Sequence, residues 1–402
     1  MSSPISLSFP SPSIRLGVST VLRTPTGAVA VDAGHFFDGD FSGVDAVILT
    51  HAHWDHGAHL AKILDERRIP IYCTPETRNL LRENPEVYRG RPDENGHMLL
   101  VAKAAIEVDY LSPFEIGNGI TATLLPAGHL PGSAQAFLEY DGMSGIFSGD
   151  INTQYFGDFR GRPFAGEALH PNNGERKVDF AVTECTHAEK DGISSKAAYE
   201  QLRAAMIDVA EKGGRAVIAA PNFMRGSQAA YLARQILDED EAAFRGYSLI
   251  YPRSKGLAFL RKYYPETYAD LSAKGLETET GKKKNLPSAC FIVCEDYYKF
   301  AGVRRNPFAL INTRSAACPR NLEALESSGS FYAAPIPIHS GGPELVEYVR
   351  DWIAPGQEGA QIFLNHGRRK QFEAMRGRLI GEGYAPAAIH IPQIQETFVL
   401  RE

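Results

Sequence analysis

A chain of 402 residues with 44% hydrophobic and 22% charged residues has the composition of a folded protein rather than a disordered one, and its length favours two domains over one. The net charge of -6 excludes a protein that coats nucleic acid by bulk positive charge, while leaving room for a local basic groove. The opening stretch MSSPISLSFPSPSIRLGVST lacks a basic start followed by a long apolar run, and no window reaches the roughly 20 apolar residues of a membrane span, so a cytoplasmic protein is expected.

Taken in chain order, GVSTVLRTPTGAVAVDAG holds two apolar runs around a turn, and VDAVILT reads as a buried strand followed by the helix HLAKILDERR. GITATLLPAGH and AFLEYDGMSGIFSGD follow as strands, with Asp141 and Gly142 at a hairpin turn. After VDFAVTECTHAEK a second α/β stretch begins. Its first helix, SSKAAYEQLRAAMIDVAEKGG, has Ser194 or Ser195 as cap and Gly213 and Gly214 as stop. RAVIAAP, GSQAAYLARQILDEDEAAF and YSLIYP continue it as strand, helix and strand, and residues 275–288 are the most loop-like of the chain. The last segments return to the pattern of the first half, with the strand AQIFLNHG, the helix RRKQFEAMRGRLIGEGY and a single last strand in IHIPQIQETFVL. A chain that leaves one pattern and comes back to it points to an inserted domain.

Five cysteines, Cys73, Cys185, Cys290, Cys294 and Cys318, have no disulfide-framework spacing. The pair in ACFIVCEDY lies in a run that reads as a buried strand, which favours core packing over metal binding.

The chemistry concentrates in THAHWDHGAHL, residues 50–60, where VDAVILT ends. Neutral imidazoles and a carboxylate are good zinc ligands, and His51, His53, Asp55 and His56 suit two ions better than one. Further ligands follow other strands: His129 after GITATLLPAG, Asp150 after GIFSG and His366 after QIFLN, each beside a glycine that lets the backbone approach closely. His59 is superfluous to such a set and reads as helix surface or as a residue behind the ligands.

HAHWDH, AGHLPGSA and SGDIN resemble successive motifs of the metallo-β-lactamase superfamily. Glu184 in AVTECT, His339 in IPIHSGG and His366 in FLNHGRRKQFEAM resemble the three additional motifs of its β-CASP nucleases. The resemblance implies an α/β fold, a four-layer αββα sandwich formed by residues 1–190 and 333–402, with an inserted α/β β-CASP cap domain at 191–332. It implies two Zn2+ ions, with Mn2+ as an alternative: one held by His51, His53 and His129, the other by Asp55, His56 and His366, with Asp150 bridging. Glu184 would orient a ligand histidine, and His339 would protonate the leaving oxygen.

The implied activity is cleavage of phosphodiester bonds in single-stranded nucleic acid, endonucleolytic or from the 5′ end. RNA is favoured over DNA because histidine at the last motif is typical of the RNA-processing members; a DNA exonuclease of the ligase-associated or Artemis-like type is the alternative. A non-cleaving binding subunit is disfavoured by retention of all seven ligands. Ser133, Arg225 and Arg368 are the candidate substrate contacts; Arg369, Lys370, Lys255 and the segments GKKKN and VRRNP add local positive charge. No separate RNA-binding domain is evident, so targeting is expected to come from a homodimer or a protein partner. The chain departs from the family pattern in four places: the order of Gly57 and Ala58, CTHAEK after the glutamate, PIHSGGP around the acid histidine, and FIVCEDYYKFAGVRRNP in place of a Ser/Gly/Met-rich stretch.

Overall fold

The computed structural model describes residues 4–13, 17–34, 41, 43–83, 92–153, 178–220, 223–252, 255–273, 286–294, 308–314, 323 and 329–402, without the side chains of 13, 92–97, 223–224 and 255–256. Lys282, Lys283, Lys284, Cys318, the VRRNP segment and the Lys255 side chain lie outside this description. The described residues form two compact units, one of 4–153, 178–192 and 339–402, the other of 193–338.

The first unit holds two mixed seven-stranded sheets. One contains β1 (Ile5–Ser13), β2 (Gly17–Arg23), β3 (Ala28–Val31), β4 (Ala46–Ile48), β5 (Ile71–Cys73), β6 (Ala105–Glu107) and the last strand β19 (Glu396–Arg401), in the order β19-β1-β2-β3-β4-β5-β6. The other contains β7 (Phe114–Gly117), β8 (Ile120–Pro126), β9 (Ala134–Tyr140), β10 (Met143–Phe147), β11 (Phe180–Glu184), β17 (Gln361–Asn365) and β18 (Ile389–His390), in the order β18-β17-β11-β10-β9-β8-β7. β3 to β6 run parallel, with the helices Leu60–Glu66, Pro75–Glu83 and Pro92–Ala104 in their crossovers, as parallel pairing requires.

The second sheet is buried on both faces, and its sequence says why. Leu124, Ala136, Leu138, Phe147, Phe180, Val182 and Phe363 join one core with Leu7, Phe9, Leu22 and Ile48 of the first sheet. Their strand neighbours Leu125, Phe137, Ile146, Ala181, Ile362 and Leu364 join another, with Leu345, Val349 and Trp352 of the helix Gly342–Trp352 and Met375 and Leu379 of the helix Arg369–Gly381. Alternate residues point to opposite faces, so a continuous apolar run serves two cores at once.

Asp141 and Gly142, at φ of +46° and +74°, form the hairpin turn between β9 and β10, a two-residue connection that requires left-handed backbone. β1 does not stand out in the sequence, because Pro10 and Pro12 read as breakers. The fold tolerates them through a register shift against β2 between Ser8 and Ser11, while Ile5, Leu7 and Phe9 alternate inward. The single strand expected from IHIPQIQETFVL is two, β18 and β19, in different sheets. Pro392 brings no amide to a ladder and Gln395 sits at φ +64°, so the chain changes sheet between them.

The second unit is built on a parallel sheet of β12 (Arg215–Ala219), β13 (Ser248–Ile250), β14 (Cys290–Cys294), β15 (Phe308–Asn312) and β16 (Phe331–Ala333), in the order β13-β14-β12-β15-β16. The Ser194 hydroxyl caps the helix Ser195–Glu211 by accepting from the Ala197 amide at 3.1 Å. Cys290 and Cys294 are buried in the core of this unit with Val217, Ile250 and Ile292.

Candidate metal centre

The centre lies where strands of both sheets end. Beyond β4 the chain passes Thr50 and His51 and makes one helical turn, Trp54–Gly57, with the His56 and Gly57 amides donating to the His53 carbonyl. The loop after β3 braces that turn: the Ala33 amide donates to the His56 carbonyl at 2.7 Å, and the His59 amide donates to the Ala33 carbonyl at 2.9 Å. Gly128 and Gly149, both in left-handed conformations, lead into His129 and Asp150. His366 itself is held at φ +49°. For a non-glycine residue this is strained by on the order of 1–3 kcal/mol, and such strain persists where the surrounding structure fixes a functional side chain.

Three sets of ligand-type atoms converge: His51, His53, His129 and Asp150; Asp55, His56 and His366; and Asp150, Glu184 and His339, with the atoms of each set within 4.8 Å of one another. Asp150 joins them. Its Oδ2 lies 3.6 Å from His51 Nε2 and 3.4 Å from His129 Nε2, and its Oδ1 lies 3.2 Å from His56 Nε2 and 2.9 Å from His366 Nδ1. Asp55 Oδ2 is 3.2 Å from His366 Nε2, and His53 Nδ1 is 3.1 Å from His129 Nε2.

These residues fit divalent cations. His51 Nε2, His56 Nε2 and Asp150 Oδ1 are buried without a hydrogen-bond partner. Leaving a buried polar atom unsatisfied costs about 1–3 kcal/mol, and here three such atoms stand together in the converging sets. Two clusters of His and Asp side chains are thus suited to hold metal ions, by donor chemistry as well as by proximity.

Burial alone would raise the carboxyl pKa values, yet nearby imidazoles hold Asp55 and Asp150 below the usual carboxylate range: His366 and His56 act on both, and His339 on Asp150 as well. Burial pushes His51 down, helped by the charge of His56. His56 and His366 go the other way: burial opposes their charge, but the Asp150 carboxylate outweighs it for both, raising His56 to about 10 with help from Asp32.

Glu184 lies against His339 and, at a longer distance, against His366. Its carboxylate oxygens lie 3.0 and 3.1 Å from His339 Nδ1, against 3.9 Å to His366 Nδ1, and it also accepts from the Ile151 amide at 2.6 Å. Glu184 thus forms an acid–histidine pair with His339 and also lies beside the candidate ligand His366. His339 Nε2 lies 3.9 Å from Asp150 Oδ2 on the side of the centre.

The other candidates are dispersed. His59 lies outside the sets and stacks on Phe41 at 5.7 Å. Ser133 is no surface contact: it is buried, and its hydroxyl accepts from the His129 and Leu130 amides at 3.0 Å each, holding the loop that presents His129. Arg225 belongs to the second unit, where its Nε donates to the Ile336 carbonyl at 2.9 Å. Arg368 is exposed just after His366.

Three supporting residues are not singled out by sequence reasoning. Asp32 Oδ2 lies 2.7 Å from His56 Nδ1 and accepts from the Thr50 hydroxyl at 2.8 Å, while its Oδ1 accepts from the Thr50 amide at 2.8 Å. Thr186 Oγ lies 2.8 Å from His366 Nδ1, and the His187 ring packs edge-on against His339 at 5.5 Å. Asp32 carries the same signal as Asp150, a carboxylate directly after an apolar strand. Thr186 and His187 carry none.

An α/β sandwich whose strand ends gather His and Asp into two such sets is typical of metallohydrolases of the metallo-β-lactamase fold. Residues 14–176 match the family model described as "Metallo-beta-lactamase superfamily", so this part of the chain is similar to that superfamily. It is distantly similar to transcription termination factor FttA of Pyrococcus horikoshii, 30% identical over 356 residues that cover 85% of this chain and 48% of that protein. It is also similar to an RNase J-like protein of Methanocaldococcus jannaschii, 28% identical over 218 residues covering 51% of this chain and 48% of the relative. The chain therefore spans about half the length of these curated relatives. A crystal structure of a protein of unknown function from Enterococcus faecalis V583 shares the fold, with a TM-score of 0.60 over 99% of this chain and 100% of that one at 11% identity. Among the described residues no helix is long and apolar enough to cross a membrane.

Proposed function

We propose that the protein is a dinuclear zinc phosphodiesterase of the β-CASP type that cleaves single-stranded nucleic acid, RNA in preference to DNA, with residues 193–338 as the cap. The observation that carries the reading is the meeting of two ligand sets on the two oxygens of Asp150, with the Glu184–His339 pair beside them. The names of the RNase J-like relative and of the termination factor FttA support RNA as the polymer.

His51, His53 and His129 would hold one ion and Asp55, His56 and His366 the other, with Asp150 shared. When bound, a pair of zinc ions supplies a nucleophile from water near neutral pH and neutralises charge developing on the phosphoryl group. The protein supplies orientation and a proton. Asp32 and Thr186 hold His56 and His366 by their Nδ1 atoms. Burial opposes a charge on His339, but Glu184 and Asp150 outweigh it and raise its pKa above the ordinary 6.5, which favours the protonated ring. With Nδ1 held by Glu184, Nε2 is the nitrogen that gives this proton to the leaving oxygen.

End-labelled single-stranded RNA and DNA of one sequence, offered to zinc-loaded protein, test the reading. Cleavage of RNA that disappears in the H51A/D55A double variant is the expected result, and the fragment ladder separates internal from terminal cutting. Cleavage of DNA alone would overturn the preference for RNA. Two bound zinc ions with neither polymer cut would overturn the nuclease reading.

A further inference from the structure

Beside the metal centre the first unit carries a groove of about 760 Å³. Its lining includes the cations Arg368, Arg369 and Lys370 together with Ile391, Pro392, Gln393 and Ile394. Its place in the fold follows from strand direction. Gly367 follows β17, residues 391–394 follow β18, which runs parallel to β17, and Pro12 lies at the end of β1; these are the strand ends that face the ligand edge. Gly367, adjacent in the chain to His366, lines the groove directly.

Charge marks it further. The whole chain carries -6, yet three cations stand here against one lining carboxylate, Glu373, which pairs with Arg369 at 2.8 Å. Among the described residues neither Arg368 nor Lys370 has an ion-pair partner. All three sit at the start of the helix Arg369–Gly381, whose first turn holds no acidic residue. Cations are unfavourable at that end of a helix dipole, so helix stability does not explain them. Ile394, 53% exposed, adds an apolar contact, and Gln393 adds exposed donors and acceptors.

We infer that this groove binds the backbone of a single-stranded nucleic acid on one side of the scissile bond, phosphates on Arg368 and Lys370 and bases toward Ile394 and Gln393. The inference rests on the proposed nuclease reading and names a subsite of that centre. A polymer with one negative charge per repeat, and with bases able to meet exposed apolar surface such as Ile394, fits this mixed lining better than an acidic peptide, which matches only the cations.

The test is the full-length K370E/I394D variant, altered at two exposed positions. Anisotropy of a labelled oligouridylate across a salt series reports binding, and hydrolysis of bis(p-nitrophenyl) phosphate, too small to reach the groove, reports the centre. The expected result is at least tenfold weaker RNA binding, a log–log salt slope shallower by at least about 0.7, the share of the one cation lost, and unchanged hydrolysis of the small diester. Unchanged affinity and slope would overturn the inference, as would equal loss on RNA and the small diester. Displacement of RNA by polyglutamate at equal charge concentration would overturn the choice of occupant. RNA cleaved equally by wild type and variant would refute the groove and leave the nuclease reading standing; groove-dependent binding without any cleavage would do the reverse.

Discussion

At the scale of single residues, the centre depends on side chains that touch no candidate ion. Asp32 both accepts from Thr50 and lies against His56 Nδ1, so D32N leaves the His56 ring without its carboxylate. Metal affinity at the second set should fall about 10–100-fold, measured by competition with a chromophoric chelator; retention of two equivalents at wild-type affinity would refute this. Protons and metal compete for the same nitrogens. His56 is raised from 6.5 to about 10 in the metal-free fold, so its contribution to stability is full below 6.5 and is lost as pH rises through 10. His366 and His339 act in the same sense, while His51, lowered, contributes stability above 6.5 that is lost on acidification. The depressed carboxyls of Asp55, Asp150 and Glu184 contribute above their ordinary range and lose that contribution in acid. Melting curves of chelated and zinc-loaded protein between pH 6 and pH 9.5, a window of about 3.5 units across these shifts, should therefore diverge as pH rises; a pH-independent gap would refute the linkage. The ligands themselves are legible in sequence because polar residues just past apolar strands need a reason to be there. Thr186 and His187 are not, since a threonine or a histidine in a loop has many ordinary uses.

At the scale of elements, the close approach of two backbones sets the position of the HAHWDH turn. A Cβ on Gly34 would lie 2.0 Å from the Asp55 carbonyl oxygen and 2.4 Å from the Val18 amide nitrogen. G34A must therefore push the turn away, and it should lower metal content together with stability by about 1–3 kcal/mol; a variant with full metal content would show that the turn adapts. The core makes a different demand. Phe363 is fully buried between the sheets against Phe9 and Phe398, and F363A should destabilise the first unit by about 3–5 kcal/mol in denaturant titrations. Strands with continuous apolar content are legible because two cores must be filled from one run. β1 is hidden by its prolines, whose tolerance depends on a bulge that only the partner strand creates.

At the scale of the molecule, the return from the second unit meets its departure. The Gly342 amide donates to the Lys190 carbonyl at 2.8 Å, and a Cβ on Gly341 would lie 2.4 Å from the Gly192 nitrogen. Ends this close let one unit be inserted into another without distorting the host. A chain in which a short Gly-Ser linker replaces residues 193–338 should accordingly fold and hold its metal, read as metal content and one cooperative melt; aggregation or loss of metal would show that the first unit needs the second. A chain that leaves a pattern and returns to it is visible in the sequence as alternating composition. The contact between Lys190 and Gly342 is not, because it joins two backbone groups and carries no side-chain signature.

β11 and β17 are neighbours in one sheet, yet Thr186 and His366, just beyond them, are 180 residues apart in the chain. On the ribosome, the histidines and Asp150 of the first set emerge long before His366 does. The second set is therefore complete only when nearly all of the chain has been made, and its assembly is tied to the pairing of β17 with β11, so the site is built by the last steps of folding rather than by any local segment.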